Sequence, residues 1–260
     1  MKTSFTILLL FISLQISSTN NYMCASNGLT FLPEKKEITL NSMFIIEGYA
    51  YSQKIINSFK DRKVFLETKN GDTIELCLQQ ILKGQMSLTQ AIFKPIKELK
   101  SNTTYYLKFL NLTKSEKREM YQWNSKTKKR ERVFWKTSIT KNENFLNSNL
   151  KIVFEKNESI LYGCGPSSNA IFKVKNKKTS EIWFRTEVIN LSTNNKTTYF
   201  IREWNGDINV GHGMCSGAFI FDKKGKYKVR FTPMNTDGKM NKMTKWYTFD
   251  NPNNKNVLGF

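Results

Sequence analysis

Leu99-Lys100-Ser101-Asn102-Thr103-Thr104-Tyr105-Tyr106-Leu107-Lys108-Phe109 and Lys224-Gly225-Lys226-Tyr227-Lys228-Val229-Arg230-Phe231 carry one pattern twice, a polar turn followed by a Tyr that opens an alternating run. Period-two alternation sets Tyr105, Leu107 and Phe109 on one face, and Tyr227, Val229 and Phe231 on one face of the second copy, with mostly charged or polar residues opposite. Both copies read as half-buried antiparallel strands. Each leads through a polar loop to a short aromatic strand, Arg132-Val133-Phe134-Trp135-Lys136-Thr137 in the first and Lys245-Trp246-Tyr247-Thr248-Phe249 in the second. The chain therefore reads as two modules of one kind in tandem.

Module one starts near Cys24. Leu29–Leu32, Glu37–Asn41, Met43–Glu47, Val64–Thr68, Thr73–Leu82 and Ala91–Pro95 form its earlier strands, with Asn70-Gly71-Asp72 as a hairpin turn. Lys114 to Tyr121 reads as one short turn of helix without a sustained apolar face. Polar Asn142 to Asn149 forms a linker. Module two follows as Leu150–Phe154, Ala170–Val174, Glu181–Ile189, Thr197–Trp204 and Ala218–Phe221 before its Tyr strand. In Glu181–Ile189 the residues Ile182, Phe184, Thr186 and Val188 share a face, and carboxylates such as Glu181 and Glu187 are expected toward solvent. Strands near ten residues apart with few helix signals indicate an all-β fold, two tandem antiparallel sandwiches rather than barrels.

The stretch from Phe93 to Phe109 resembles the end of bacterial immunoglobulin-like or fibronectin type III-like domains of exported and cell-envelope proteins. Leu99, Asn102, Thr103 and Tyr105 match a Leu-x-x-Asn-Thr-x-Tyr segment before the penultimate strand. The resemblance implies that Tyr105 is a corner tyrosine whose hydroxyl caps backbone groups. Leu32-Pro33, Ile38 and Asn41 are similar to the opening of such domains. Module two is similar in outline only, because Gly225-Lys226-Tyr227 lacks the Asn-Thr element. The resemblance implies fold and an extracytoplasmic setting, and no catalytic residues.

Lys2, the apolar run from Phe5 to Ile16 and the polar exit Ser17 to Asn21 have the plan of a secretory signal peptide. The expected organisation is a signal over 1–23, sandwich one over 24–141, a linker over 142–149, sandwich two over 150–250 and a tail over 251–260. Cleavage is expected between Ser17 and Ala25. Asn21-Tyr22-Met23 before Cys24 lacks the small and aliphatic residues of a lipoprotein signal. No other stretch is apolar enough to span a bilayer, so the expected location is periplasm, cell surface or medium.

Cys24, Cys77, Cys164 and Cys215 are expected in disulfides, an even count in an exported chain. Cys24 and Cys77 lie 53 positions apart and Cys164 and Cys215 lie 51 apart, one pair per module, yet three pairings are open. A loop of that size is worth roughly 4 kcal/mol in the chain-entropy model. The formal charge of +20 favours polyanions, and the dense basic cluster Lys126, Lys128, Lys129, Arg130 and Arg132, beside Lys117 and Arg118, is the candidate polyanion contact.

His212 is the only histidine. No Gly-x-Ser-x-Gly elbow, phosphate loop, dinucleotide fingerprint or His-Glu-x-x-His is present, so no catalytic residue is expected. Gly211-His212-Gly213-Met214-Cys215, with Met234, Met240 and Met243 downstream, supplies imidazole and thioether donors that suit copper. The leading expectation is a cofactor-free, non-enzymatic binding, adhesion or envelope-scaffold protein. Its expected partner is a protein or glycan, acidic polysaccharide included, with no specific nucleic acid. The second expectation is a periplasmic copper-handling protein using His212 and Met214.

Overall fold

The computed structural model describes residues 24–125, 127–138, 146–177, 181–221 and 225–254. The signal-peptide reading of 1–23, the end of the tail and Lys126 lie outside the described residues. The N-terminal half contains β1 (Asn27–Leu32), β2 (Glu37–Ile38), β3 (Phe44–Ala50), α1 (Gln53–Ser58), β4 (Val64–Glu67), β5 (Thr73–Lys83), β6 (Leu88–Pro95), β7 (Thr104–Phe109), α2 (Lys114–Glu119), β8 (Tyr121–Asn124), β9 (Lys129–Arg132) and β10 (Phe134–Thr137). The C-terminal half contains β11 (Lys151–Tyr162), β12 (Gly165–Lys175), β13 (Ile182–Asn190), β14 (Lys196–Trp204), β15 (Asp207–His212), β16 (Lys226–Asn235) and β17 (Tyr247–Asp250). The protein is all-β, with antiparallel pairing throughout except for β10 beside β2.

The two halves repeat one topology. Their ladders run β1-β3-β6-β5-β4-β7-β10-β2 and β11-β12-β15-β14-β13-β16-β17. With β2 set aside, both follow the order 1-2-5-4-3-6-7 counted along their own strands. Each ladder also folds over itself. Phe44 on β3 meets Trp135 on β10 edge-to-face at 4.7 Å, and Phe172 on β12 meets Phe231 on β16 at 5.0 Å, although each pair comes from distant places in its ladder. The alternating residues that define the pattern, Tyr105, Leu107, Phe109, Tyr227, Val229 and Phe231, are all buried. Tyr105 caps the backbone as expected, its hydroxyl accepting the Lys100 N–H at 2.9 Å. The Tyr227 hydroxyl is met by the Asn190 side-chain amide at 3.4 Å.

Two sequence expectations need correction here. Ala218–Phe221 is not a strand, and β15 takes the place in the ladder that a further strand had to fill. Its hairpin with β14 closes through Asn205 and Gly206, both at positive φ (51° and 86°), the backbone that a two-residue turn of this handedness requires. Glu187 is not solvated: it is 3% exposed, because Arg185 on its own strand, Arg230 on β16 and Lys196 on β14 close over it at 2.5, 2.5 and 3.0 Å. Trp183, on the face opposite Phe184, is fully buried as well, so β13 is covered on both sides there.

The halves meet over a continuous interface. Leu32, Ile45, Leu82 and Ile92 from the first half belong to the same apolar core as Trp183, Phe200 and Phe219 from the second. Gln90 on β6 bonds the Phe200 backbone twice, donating to its carbonyl at 2.8 Å and accepting its N–H at 3.2 Å. Glu47 accepts from the Gln90 amide at 3.0 Å and the Tyr199 hydroxyl at 2.8 Å. Desolvation there raises the Glu47 carboxyl above its ordinary value despite these bonds, and raises the Tyr199 hydroxyl too. Met86 and Gly217 exchange backbone bonds at 3.0 Å in each direction, and a Cβ at Gly217 would fall 2.1 Å from the His212 Cβ. Only glycine permits that approach.

Candidate functional site: a cationic aromatic trough beside α2

The site is built at the end of the N-terminal half where α2 hands over to the β8–β9 hairpin. α2 starts with a capping box: the Glu116 N–H donates to the Thr113 hydroxyl at 3.3 Å, and the Thr113 N–H donates to the Glu116 carboxylate at 2.8 Å. Arg62 grips that carboxylate with two guanidinium nitrogens at 2.5 and 3.0 Å and also donates to the Leu110 carbonyl at 2.6 Å. Desolvation alone would raise the Glu116 carboxyl, but the bonds from Arg62 and Thr113 outweigh it and hold it below its ordinary value. One turn of helix is thereby anchored on its inner side, and Lys114, Lys117 and Arg118, at i, i+3 and i+4, share an outer face.

β8 places Tyr121 and Trp123 next to that face, and the register sets Arg130 on β9 directly opposite Trp123. With Asn27 from β1 and Glu119 from α2 these side chains line a hollow of about 600 Å³. Arg118, Tyr121 and Arg130 are shared with an adjoining hollow of about 410 Å³ that adds Lys114 and Lys117. Trp123 is 62% exposed. Glu119 is committed to holding the floor, its carboxylate accepting from Asn27 at 2.9 Å and from the Ser52 hydroxyl at 2.5 Å. Among the described residues, the side chains of Lys114, Lys117, Arg118 and Arg130 make no hydrogen bond or ion pair. Elsewhere in the same half, cations are spent on structure: Arg62 on Glu116, Lys63 on Glu75, Lys108 on Glu67.

The basic cluster read from the sequence divides on inspection. Arg130 enters the trough. Lys128 lies in the hairpin turn at φ 54° and Lys129 is exposed on β9. Arg132 belongs to the scaffold, its guanidinium donating to the Leu107 carbonyl at 2.9 Å, pairing with Glu67 at 3.3 Å and covering the Tyr106 ring at 5.3 Å. Lys114 and the β1 edge were not part of the sequence reading of this site. The capping signal Thr113-x-x-Glu116 announces the helix, whereas Asn27 comes from 92 positions before Glu119 and no local pattern announces its arrival.

The cysteines also need correction. Cys24 pairs with Cys215, 191 positions apart and across the two halves, with Cα atoms 5.7 Å apart. Cys77 and Cys164 are free and exposed. Cys77 points out of β5, and Cys164 sits in the tight turn between β11 and β12, so neither one-pair-per-module link forms. Cys215 is thereby neither a nucleophile nor a thiolate ligand. His212 is buried, with Nδ1 2.8 Å from the Gly213 carbonyl. Met234 lies in the apolar core, and Met240 and Met243 are exposed. Among the described residues no three His, Cys, Asp or Glu side chains converge as a metal site. No helix among them is long and apolar enough to cross a membrane.

No protein-family model and no curated protein sequence matches the chain. Solved structures align weakly. A pullulanase from Anoxybacillus sp. LM18-11 aligns at 10% identity and TM-score 0.26 over 84% of this chain and 25% of its own. A chain of a cytokine receptor complex aligns at 8% identity and 0.26, over 86% and 96%, and the Yersinia pseudotuberculosis adhesin InvE at 10% and 0.21, over 86% and 58%. The chain thus spans about a quarter of the pullulanase and just over half of the adhesin chain.

Proposed function

We propose that the chain is a non-enzymatic exported protein made of two tandem immunoglobulin-like sandwiches, residues 24–141 and 150–250, that works as a binding, adhesion or envelope-scaffold module. The shared strand order of the two halves, the fold of each ladder over itself and the capped Tyr105 support the sandwich reading. The Cys24–Cys215 disulfide supports an oxidising location outside the cytoplasm. The observation that carries the binding role is the gathering of unpaired cations around the half-buried Tyr121 and the exposed Trp123 at the α2 and β8–β9 end. Charge left unpaired on one face raises the local concentration of anionic partners and is screened by salt.

The ligand reading is an anionic glycan of the cell envelope or its surroundings. The test replaces Lys128, Lys129 and Arg130 together by Ser and leaves the structural Arg132 in place. Retention of the mature protein on isolated envelopes and on immobilised anionic glycans at low salt is expected to fall at least tenfold, with an unchanged melting midpoint. Unchanged retention on both supports removes the basic hairpin from the function.

A further inference from the structure

The trough is divided along its length. Lys114 and Lys117 line only the hollow at one end, Arg118 and Arg130 line both hollows beside Tyr121, and none of these four side chains has a partner of its own among the described residues. At the other, Trp123 stands beside neutral hydrogen-bonding groups, the amides of Asn27 and Gln122 and the Ser115 hydroxyl, above the tied Glu119. From this arrangement we infer that the trough beside α2 is a subsite for a short acidic oligosaccharide. One sugar ring lies on Trp123, and the carboxylate or sulfate of its neighbour is held by Arg118 and Arg130. This inference rests on the proposed glycan-binding reading and deepens it.

The chemistry favours that ligand over other polyanions. An indole face packs against the C–H face of a pyranose while amides and hydroxyls serve its hydroxyl groups, and a guanidinium fork matches a planar carboxylate. A nucleic-acid groove tracks a phosphate backbone with successive stacking platforms, whereas here Lys114 and Lys117 line one hollow only and a carboxylate, Glu119, lines the other.

The test uses the mature full chain and a four-sugar oligogalacturonate, with its carboxyl-reduced neutral counterpart as control, titrated by calorimetry at low salt. Trp123→Ala and Arg118→Ser are each expected to weaken binding at least tenfold, and the neutral oligosaccharide to bind at least tenfold more weakly than the acidic one. Both side chains are surface groups without structural bonds, and melting midpoints within 2 °C of the wild type, about half a kcal/mol for a domain of this size, confirm intact folding. Binding by either variant within twofold of wild type overturns the subsite, as does equal affinity for the neutral sugar or no binding of the acidic one. A single-stranded oligonucleotide of matched charge, or a phosphatidylserine vesicle, that binds more tightly and loses affinity in the same variants also overturns it, in favour of that ligand. If Trp123→Ala and Arg118→Ser leave envelope retention intact while the Lys128, Lys129 and Arg130 triple variant loses it, the trough is refuted and the broader hairpin reading stands.

Discussion

Replacing Trp135 by Ala is expected to destabilise the N-terminal half by about 4 kcal/mol, the range for removing a large aromatic side chain from a packed core. Trp135 is 1% exposed, packs on Phe44 at 4.7 Å and donates its indole N–H to the Pro33 carbonyl at 2.8 Å. The substitution opens a cavity where the two ends of the ladder face each other and leaves a buried carbonyl without its donor. Against a domain stability of roughly 5–15 kcal/mol, that is a large share. Trp135→Phe keeps the ring contact but not the donor, and its loss is expected near 1–2 kcal/mol. Urea unfolding of both variants checks the pair of values. A loss under 1 kcal/mol for the Ala variant would mean that β3 and β10 do not pack face to face.

The second large effect is electrostatic. Burial alone would raise the Glu187 carboxyl, but hydrogen bonds from Lys196, Arg230 and Arg185 reverse this and lower it to about 2. A carboxyl that titrates lower in the folded than in the unfolded chain stabilises the fold at pH values above its unfolded value, near 4.5, and that contribution disappears as pH falls toward 2. The full shift sets a ceiling of about 3 kcal/mol, and the partly exposed partners, which regain water, reduce the expected figure to about 2 kcal/mol. Glu187→Gln is therefore expected to be less stable than wild type at pH 7 by about that amount, with the difference shrinking steadily between pH 4.5 and pH 2. A difference that stays constant over that interval would show that Glu187 contributes through packing and not through its charge.

The fold was legible wherever local chemistry decides it. Alternation in Tyr105–Phe109 and Tyr227–Phe231 exposes the inner faces of β7 and β16, and Asn70-Gly71-Asp72 marks the β4–β5 turn. Asn205-Gly206 carried an equally strong hairpin signal, and reading it would have placed β15. What stayed hidden depends on distant segments. Glu187 has the outward register of a solvated residue, and its burial comes from cations on β14 and β16. Spacing alone favoured one disulfide per half, whereas the bond that forms depends on how the halves face each other. The same holds for the trough, whose basic residues are local but whose wall is β1.

Cys24 and Cys215 clamp the two β halves together, and the proposed export of the chain requires that bond to form. The direct test is peptide mapping of protein exported by its own host, alkylated before and again after reduction. The predicted result is a linked Cys24–Cys215 peptide, a mature N-terminus between residues 18 and 24, and Cys77 and Cys164 alkylated without reduction. Linked Cys24–Cys77 and Cys164–Cys215 peptides, or four thiols alkylated without reduction, would contradict it.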